Sequence, residues 1–386
     1  MSAYWNRRVK SLRPYVPGEQ PRDRTLIKLN TNENPYPPSP RVLEALRNAA
    51  GETLRLYPDP ESRELREAIA AAYRVKPEQV FAGNGSDETL AFVFAAFFEA
   101  GDPAALPLLF PDITYSFYPV YARLWGVPYR TVPVGKDFSV NPEDYQVPAG
   151  GVVLANPNAP TGIALKAAKL LRIAAYQAAA GRVTVIDEAY GAFVQEADAA
   201  ADTDAVFPGT ASVTPYIEQH PNLLTVHTLS KMGALAGLRV GFAIGNEELI
   251  EGLCRVRDSF NSYPLDRLAQ AGAVAALADA AYYAGLTRRI IAARDRVTSS
   301  LAALGFETLP SQANFVFTRH PGKSGAELFA GFREQGILVR HFNTPGIADF
   351  LRVTIGTDDQ MDRFLEACKN LLRTREVRGL ADDCYD

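Results

Sequence analysis

Residues 228–241 read Thr-Leu-Ser-Lys-Met-Gly-Ala-Leu-Ala-Gly-Leu-Arg-Val-Gly. The stretch holds one lysine, Lys231, and it follows an apolar run that predicts a strand. Burial among small and apolar neighbours disfavours the charged ammonium, and only the neutral amine attacks an aldehyde. Ser230 and Arg239 lie on either side of the lysine and carry groups that can hold a phosphate. Taken alone, these residues favour the simpler interpretation of a surface lysine in a turn.

Length and composition set the class of protein. The chain has 386 residues, of which 47% are hydrophobic and 22% charged, and these values are typical of a globular protein with a large and a smaller domain. A net charge of −4 gives no indication of binding to nucleic acid or to a membrane surface. The three cysteines lack the spacing of a metal site. The sequence has neither a long apolar run nor the pattern of a secretory signal, so we expect a cytoplasmic protein.

Short apolar runs alternate with helical patterns along much of the chain. The predicted strands of the first part lie at residues 80–82, 151–155, 183–186, 223–227 and 240–244. Strands that are joined by crossover helices form mostly parallel sheets with both faces covered. The sequence therefore predicts an α/β fold, with a mostly parallel sheet in a large domain. A smaller α+β domain follows, with strands predicted at residues 314–318, 337–340 and 351–355.

The same patterns predict how the chain divides into parts. We expect an N-terminal arm, a large cofactor-binding domain, a small domain and a charged tail, at residues 1–38, 51–285, 286–373 and 374–386, with residues 39–50 belonging to the small domain. An Ala-rich helical region at residues 265–304 should connect the two domains. A long polar loop is predicted at residues 195–215.

Three further motifs follow predicted strands, where open α/β sheets place their ligands. Residues 83–88, Gly-Asn-Gly-Ser-Asp-Glu, open a helix, and free amides at a helix N-terminus bind anions. Residues 156–162, Asn-Pro-Asn-Ala-Pro-Thr-Gly, form a loop with two asparagines. Residues 187–190, Asp-Glu-Ala-Tyr, place a carboxylate at the end of a buried strand. Each motif also fits a purely structural role, as a capped helix start, a turn or a strand end.

Together the motifs resemble those of the fold type I aminotransferases and, within them, the histidinol-phosphate aminotransferase family. The resemblance covers nearly the whole chain, because seven motifs occur in the same order as in the family. These motifs lie at residues 29–35, 57–60, 83–88, 156–162, 187–190, 230–239 and 351–356.

The resemblance implies a pyridoxal 5'-phosphate cofactor and assigns residues to it. Lys231 would form the covalent link to the cofactor aldehyde and later move a proton at the substrate α-carbon. Asp187 would pair with the ring nitrogen, Tyr190 would bond the phenolic oxygen, and Tyr115 would stack on the ring, although Tyr115 also fits an ordinary core position. The residues expected at the phosphate are Ser86, Asp87, Ser230 and Arg239.

The resemblance also implies a homodimer with shared active sites. Tyr57 would reach the phosphate in the partner subunit. Arg352 and Arg340 would hold the anionic groups of the substrate, and Asn34 of the N-terminal motif would contribute to the same site. For Arg340, an exposed arginine paired with Glu334 is the alternative.

Among the departures from the family pattern, one concerns the cofactor site. The family has an asparagine directly before Pro-Thr-Gly, as a second partner of the phenolic oxygen, but this chain has Ala159. Asn156 or Asn158 would then take over the contact.

The expected activity is transfer of an amino group from histidinol phosphate to 2-oxoglutarate, giving imidazole acetol phosphate and glutamate. An aromatic or broad-range amino-acid aminotransferase is the main alternative. A phosphothreonine decarboxylase, which has similar cofactor motifs, is a more distant alternative. A non-catalytic regulator is another, but such a protein should have lost the lysine, the aspartate or the arginines, and Lys231, Asp187 and both arginines are present.

Overall fold

The computed structural model describes residues 3–21, 25–102, 104–195 and 212–382. Its helices are α1 (Arg7–Ser11), α2 (Pro40–Ala49), α3 (Arg63–Tyr73), α4 (Gly85–Phe97), α5 (Tyr118–Trp125), α6 (Ala167–Ala178), α7 (Glu247–Phe260), α8 (Arg267–Leu277), α9 (Ala280–Ala303), α10 (Gly325–Glu334) and α11 (Asp358–Asp382). Its strands are β1 (Ile27–Lys28), β2 (Val80–Asn84), β3 (Leu108–Pro111), β4 (Tyr129–Val132), β5 (Gly151–Ala155), β6 (Thr184–Asp187), β7 (Leu223–Thr228), β8 (Val240–Gly245), β9 (Glu307–Thr308), β10 (Phe315–Arg319), β11 (Ile337–Leu338), β12 (Arg340–His341) and β13 (Leu351–Thr354).

The largest sheet has seven strands in the order β2-β8-β7-β6-β5-β3-β4. Strand β8 runs antiparallel to both of its neighbours, and the remaining pairs are parallel. An antiparallel sheet in the order β12-β13-β10-β9 forms the second layer, and β1 pairs with β11 in a small third sheet. This is the α/β architecture that the sequence predicts.

The strands of the large sheet are buried on both faces. In β5, Val152 and Leu154 pack into one hydrophobic cluster, whereas Val153 packs into another on the opposite face. Successive side chains of a strand point to opposite faces, so covering both faces requires a continuous apolar run rather than an alternating one. The short runs of β-branched residues therefore predicted these strands correctly.

Within the seven-stranded sheet, sequence analysis missed two strands and the helix between them. Strand β3 has only four residues and ends in Pro111, and β4 lies at the edge of the sheet with Arg130 and Thr131 exposed. A proline and a polar edge both weaken the strand pattern.

Three predicted segments are also divided differently. The Ala-rich region forms two helices, α8 and α9, rather than one continuous region. The N-terminal arm is not wholly extended, since it contains α1 and the strand β1, which pairs with β11. The strand predicted at residues 337–340 is split between β11 and β12.

Helix α2 contacts α8, and α8 also contacts α3 and β8 of the large-sheet layer. Gly272 of α8 allows this contact, because a Cβ there would lie 3.2 Å from the side chain of Leu46 in α2. Residues 39–50 therefore pack against α8 of the large domain, whereas the sequence predicts that they belong to the small domain.

Two predicted segments reach the limits of the structure. Most of the loop predicted at residues 195–215 falls on residues 196–211, which lie outside the described residues. Helix α11 continues through Asp382, into the segment that we predicted as a tail. In the part of the chain that the structure describes, no helix has the length and apolar character needed to cross a membrane.

Candidate active site

A cavity lies at the carboxyl ends of β5, β6 and β7, where the small domain meets the large sheet. Open α/β sheets bind their ligands at this edge. Ten of the residues predicted for the site line this one cavity: Ser86, Asp87, Tyr115, Asp187, Tyr190, Ser230, Lys231, Arg239, Arg340 and Arg352.

One end of the cavity is built to receive an anion. The first turn of α4 leaves backbone amides without partners inside the helix, and those of Ser86 and Asp87 lie there. Arg239 donates from Nη1 to Oγ of Ser230 at 3.3 Å and from Nη2 to Oδ2 of Asp87 at 3.2 Å. Gly85 is needed beside the guanidinium, because a Cβ at this residue would lie 2.4 Å from Nη2 of Arg239.

A buried carboxylate also lines the cavity. Asp187 is only 6% exposed, and its Oδ2 accepts a hydrogen bond of 2.9 Å from the hydroxyl of Tyr118. Burial raises the pKa of Asp187 to about 6, although the bonds from Tyr118 and from the amide of Ala189 favour the carboxylate. A cation bound next to Asp187 would reverse this cost of burying its charge.

Lys231 lines the same cavity and is half-buried. Its Nζ donates to the backbone oxygen of Thr31 at 3.2 Å and lies 5.9 Å from the centre of the Tyr190 ring. The alternative of a surface lysine in a turn is therefore wrong. The amine faces the cavity from the loop that follows β7.

Sequence analysis did not identify Asn32, which contacts Tyr190. Its Nδ2 donates to the Tyr190 hydroxyl at 2.9 Å, and its side chain is 1% exposed. The asparagine-rich stretch at residues 29–35 was the only sequence signal for this contact.

Two arginines form the wall on the small-domain side. Arg340 of β12 and Arg352 of β13 are register partners in neighbouring strands. Within the described residues neither makes an ion pair with a carboxylate, and their hydrogen bonds go to the backbone oxygens of Val16 and Asn30, at 3.3 and 3.1 Å. The alternative pairing of Arg340 with Glu334 is therefore wrong. Burial lowers the pKa of Arg352, and the charge of Arg340 acts in the same direction.

This set of groups fits pyridoxal phosphate. An anion cradle, an amine and a buried carboxylate line one cavity together with the aromatic ring of Tyr115, whose hydroxyl donates to Asp87 at 2.8 Å. A phosphorylated aldehyde with a basic ring nitrogen needs these three kinds of partner.

The sequence profile of the family "Aminotransferase class I and II" matches residues 24–368. The chain is 53% identical to the histidinol-phosphate aminotransferase of Acetobacter pasteurianus, over 96% of this chain and 99% of that protein. It is 54% identical to histidinol-phosphate aminotransferase 1 of Bradyrhizobium diazoefficiens, over 96% of this chain and 100% of that protein.

A similar solved structure is the histidinol-phosphate aminotransferase of Sinorhizobium meliloti in complex with pyridoxal-5'-phosphate. It is 27% identical, the match covers 97% of this chain and 99% of the other, and the TM-score is 0.82. The chain belongs to the class I and II aminotransferases. The predicted family is thereby confirmed.

Two residues of this aminotransferase that were predicted to contact the cofactor point elsewhere. The side chain of Asn156 is held by both backbone groups of Leu165, at 2.7 and 3.1 Å. Asn158 accepts from the hydroxyl of Thr114 and donates to the backbone oxygen of Ile113. Neither asparagine lines the cavity, whereas Ala159 does. The structure therefore shows the two asparagines shaping the loop and not replacing the missing partner.

Asn34 and Tyr57 also lie outside the cavity of this chain. Asn34 donates to the backbone oxygens of Lys231 and Met232 at 3.1 and 3.3 Å, and so holds the loop that carries the lysine. Tyr57 is 78% exposed and stacks on Tyr263 with ring centres 4.5 Å apart. Within one subunit Tyr57 does not reach the site.

Behind Asp187 lies a buried polar network that sequence analysis did not predict. Glu188 accepts from the Ser212 hydroxyl and from the amide of Val213 at 2.8 Å, and burial raises its pKa to about 7. The Nε2 atom of His227 lies 3.9 Å from Glu188, and burial lowers the pKa of His227 to about 3. Both directions favour the uncharged forms of the two side chains.

Proposed function

We propose that the protein is a homodimeric, pyridoxal-phosphate-dependent histidinol-phosphate aminotransferase of the cytoplasm. It transfers the amino group of histidinol phosphate to 2-oxoglutarate and so yields imidazole acetol phosphate and glutamate, a step of histidine biosynthesis. The full-length similarity to enzymes of that name, at 53% and 54% identity, supports this substrate.

The roles of the residues follow from their places in the cavity. When bound, the cofactor supplies an aldehyde for amine exchange and a ring that withdraws electrons. Lys231 holds the cofactor covalently and then accepts and returns the proton at the substrate α-carbon. Asp187 keeps the ring nitrogen protonated, and Tyr190 donates to the phenolic oxygen. The α4 N-terminus, Ser230 and Arg239 hold the phosphate.

The observation that carries the choice of substrate is the pair Arg340 and Arg352. Both line the cavity, and no carboxylate of the described residues pairs with either. Guanidinium groups bind phosphates and carboxylates in a bidentate manner. Such a pair suits the phosphate of histidinol phosphate in one half-reaction and the carboxylates of 2-oxoglutarate in the other.

A homodimer accounts for a set of exposed apolar residues. Leu54, Leu56, Tyr57, Phe260 and Tyr263 are 42–78% exposed, and clustered exposed aromatic residues are typical of interfaces. Tyr57 would extend from this surface to the phosphate site of the partner.

The test compares donors on purified enzyme loaded with pyridoxal phosphate. Histidinol phosphate and phenylalanine are each supplied with 2-oxoglutarate, and glutamate formation gives kcat/KM for each. We expect histidinol phosphate to be strongly preferred. Equal or greater efficiency with phenylalanine would instead support the aromatic aminotransferase, and release of carbon dioxide from phosphothreonine would support a decarboxylase.

A further inference from the structure

Asn32 connects the N-terminal segment to both domains. Its amide nitrogen donates to Oγ1 of Thr354 at 2.9 Å, and its backbone oxygen accepts from Nδ2 of Asn314 at 3.0 Å. Its side chain lies between Thr354 Oγ1, at 3.0 Å from Oδ1, and the Tyr190 hydroxyl, at 2.9 Å from Nδ2. Every polar group of this buried residue therefore has a partner.

The backbone of Asn32 has φ of 57°. Among residues with a side chain, asparagine and aspartate adopt this left-handed conformation most readily, because their short polar side chains bond locally. The conformation turns the side chain of Asn32 inward between Thr354 and Tyr190. Backbone geometry and side-chain bonds thus specify the same residue type.

The hydrogen bonds with Thr354 determine the orientation of the Asn32 side-chain amide. Thr354 is 3% exposed, and its hydroxyl accepts from the amide of Asn32 and donates its one proton to Oδ1. In the opposite orientation, the Thr354 hydroxyl would receive two donors, and its own proton would lose its one acceptor among the described contacts. The amide group therefore presents its NH₂ to Tyr190.

A phenolic oxygen that accepts from Asn32 must direct its own proton elsewhere. Tyr190 lines the cavity, and the open direction for that proton is the cavity itself. Ala159 also lines the cavity and has no donor, while Asn156 and Asn158 are bonded in their loop. Among these positions, Tyr190 is thus the one left to donate to the phenolic oxygen of the cofactor.

We propose that Asn32 is a positioning residue, which fixes the Tyr190 hydroxyl as a donor into the cofactor site and so compensates for the alanine at position 159. The inference rests on the proposed role of Tyr190. It assigns to the N-terminal segment a role in setting the pH at which the bound cofactor loses its proton.

The test is a double-mutant cycle of Asn32→Gly and Tyr190→Phe. Glycine accepts the left-handed backbone, so the variant removes the amide without backbone strain. A donor on the phenolic oxygen competes with the proton on the linked Lys231 nitrogen for the same negative charge. Losing the donor should therefore raise the pH at which the absorbance of the bound cofactor changes, by about one unit for either single variant.

Affinity for the cofactor is the second readout and does not depend on turnover. Titrating the apoprotein with pyridoxal phosphate should show a loss of about threefold to tenfold for each single variant. The double variant should be no worse than Tyr190→Phe alone, because Asn32 acts through that hydroxyl. Asn314→Ala is the matched control. It removes the bond to the Asn32 backbone but leaves the side-chain amide, so it should lower the unfolding temperature without shifting the absorbance transition.

The outcomes separate this inference from the proposed function. If Tyr190→Phe changes both readouts and Asn32→Gly changes neither, the inference on Asn32 is wrong and the role of Tyr190 remains. Independent, additive losses in the double variant also overturn it. If Tyr190→Phe itself changes nothing, both ideas fail. Should Asn32→Gly not fold, Asn32→Asp keeps the shape, makes Tyr190 donate to residue 32, and should reproduce the changes of Tyr190→Phe.

Discussion

The Tyr118 hydroxyl donates a hydrogen bond of 2.9 Å to Oδ2 of Asp187, and both side chains are buried. Tyr118 lies at the first turn of α5, three residues after Tyr115, which lines the cavity. The bond fixes the orientation of the carboxylate and favours its charged form. Tyr118 therefore supports the residue that is proposed to bind the ring nitrogen, without touching the cofactor itself.

Tyr118→Phe should weaken cofactor binding without abolishing it. A hydrogen bond to a charged group contributes about 1.5–3 kcal/mol, so we expect the affinity of the apoprotein for pyridoxal phosphate to fall by roughly tenfold to a hundredfold. The loss should be larger at pH 5 than at pH 8, because at pH 5 the carboxyl group of the apoprotein must ionise when the cofactor binds, and the bond from Tyr118 favours that ionisation. An equal loss at the two pH values would indicate that Tyr118 acts only through packing.

Asp187→Asn should stabilise the apoprotein and impair the enzyme. The pKa of Asp187 is raised from 3.8 to about 6, so the folded apoprotein binds its proton more tightly than the unfolded chain does. The contribution of Asp187 to stability is therefore present below pH 4 and is lost as the pH rises through 6, by about 3 kcal/mol. Asparagine removes this loss.

Denaturant unfolding of the wild-type and variant apoproteins at pH 4 and pH 8 measures how the free energy of unfolding differs between them. Glu188 and His227 titrate in both proteins, so their effect cancels in this difference. We expect the variant to gain relative to the wild type only at pH 8. With cofactor and substrates, the same variant should lose orders of magnitude in rate, because the ring nitrogen loses its charged partner. Near-normal turnover would contradict the proposed role of Asp187.

Lys231→Ala should abolish transamination and leave the protein folded. Lys231 is the lysine that lines the cavity, so it should form the covalent link to the cofactor. Borohydride reduction followed by mass spectrometry of peptides should locate the cofactor on Lys231 in the wild type and find none in the variant. A reducible link that persists in the variant would mean that another lysine serves the reaction.

Arg340→Ala should distinguish a phosphate-bearing donor from a neutral one. Losing charge-assisted bonds worth about 1.5–3 kcal/mol should lower kcat/KM with histidinol phosphate by roughly tenfold to several hundredfold. Any activity with phenylalanine should fall much less. Arg333→Ala is a matched control, because Arg333 and Arg340 both hold residues 16–19 of the N-terminal arm, through Glu19 and Val16. Equal losses with both donors would show that Arg340 does not bind the phosphate.

Tyr57→Ala and Lys231→Ala should complement each other if the sites are shared between subunits. A hybrid dimer has one site that combines Lys231 of one subunit with Tyr57 of the other, and that site is intact. After mixing, unfolding and refolding together, we expect more activity than the two separate variants supply. Absence of any gain, with hybrids verified by mass, would place Tyr57 outside the site.

The order of motifs along the chain was sufficient to predict the α/β fold, the aminotransferase family and ten of the residues that line the cavity. Apolar runs report strands that are buried on both faces, and short motifs at strand ends report the ligand edge of the sheet, because both depend on local sequence. Strands β3 and β4 were missed because their local sequence patterns are weak. A short edge strand is specified by its neighbour rather than by its own residues.

Only the tertiary structure decided which side chains work together. Asn32 and Tyr190 are 158 positions apart, and Asn32 and Thr354 are 322 apart, so no local pattern reports their contacts. The same holds for Asn156 and Asn158, whose residue types suggested contacts with the cofactor. The side chain of Asn156 bonds within its own loop, and that of Asn158 bonds to Ile113 and Thr114. Residue type determines which bonds a side chain can make, and packing of distant segments determines which of those bonds it does make.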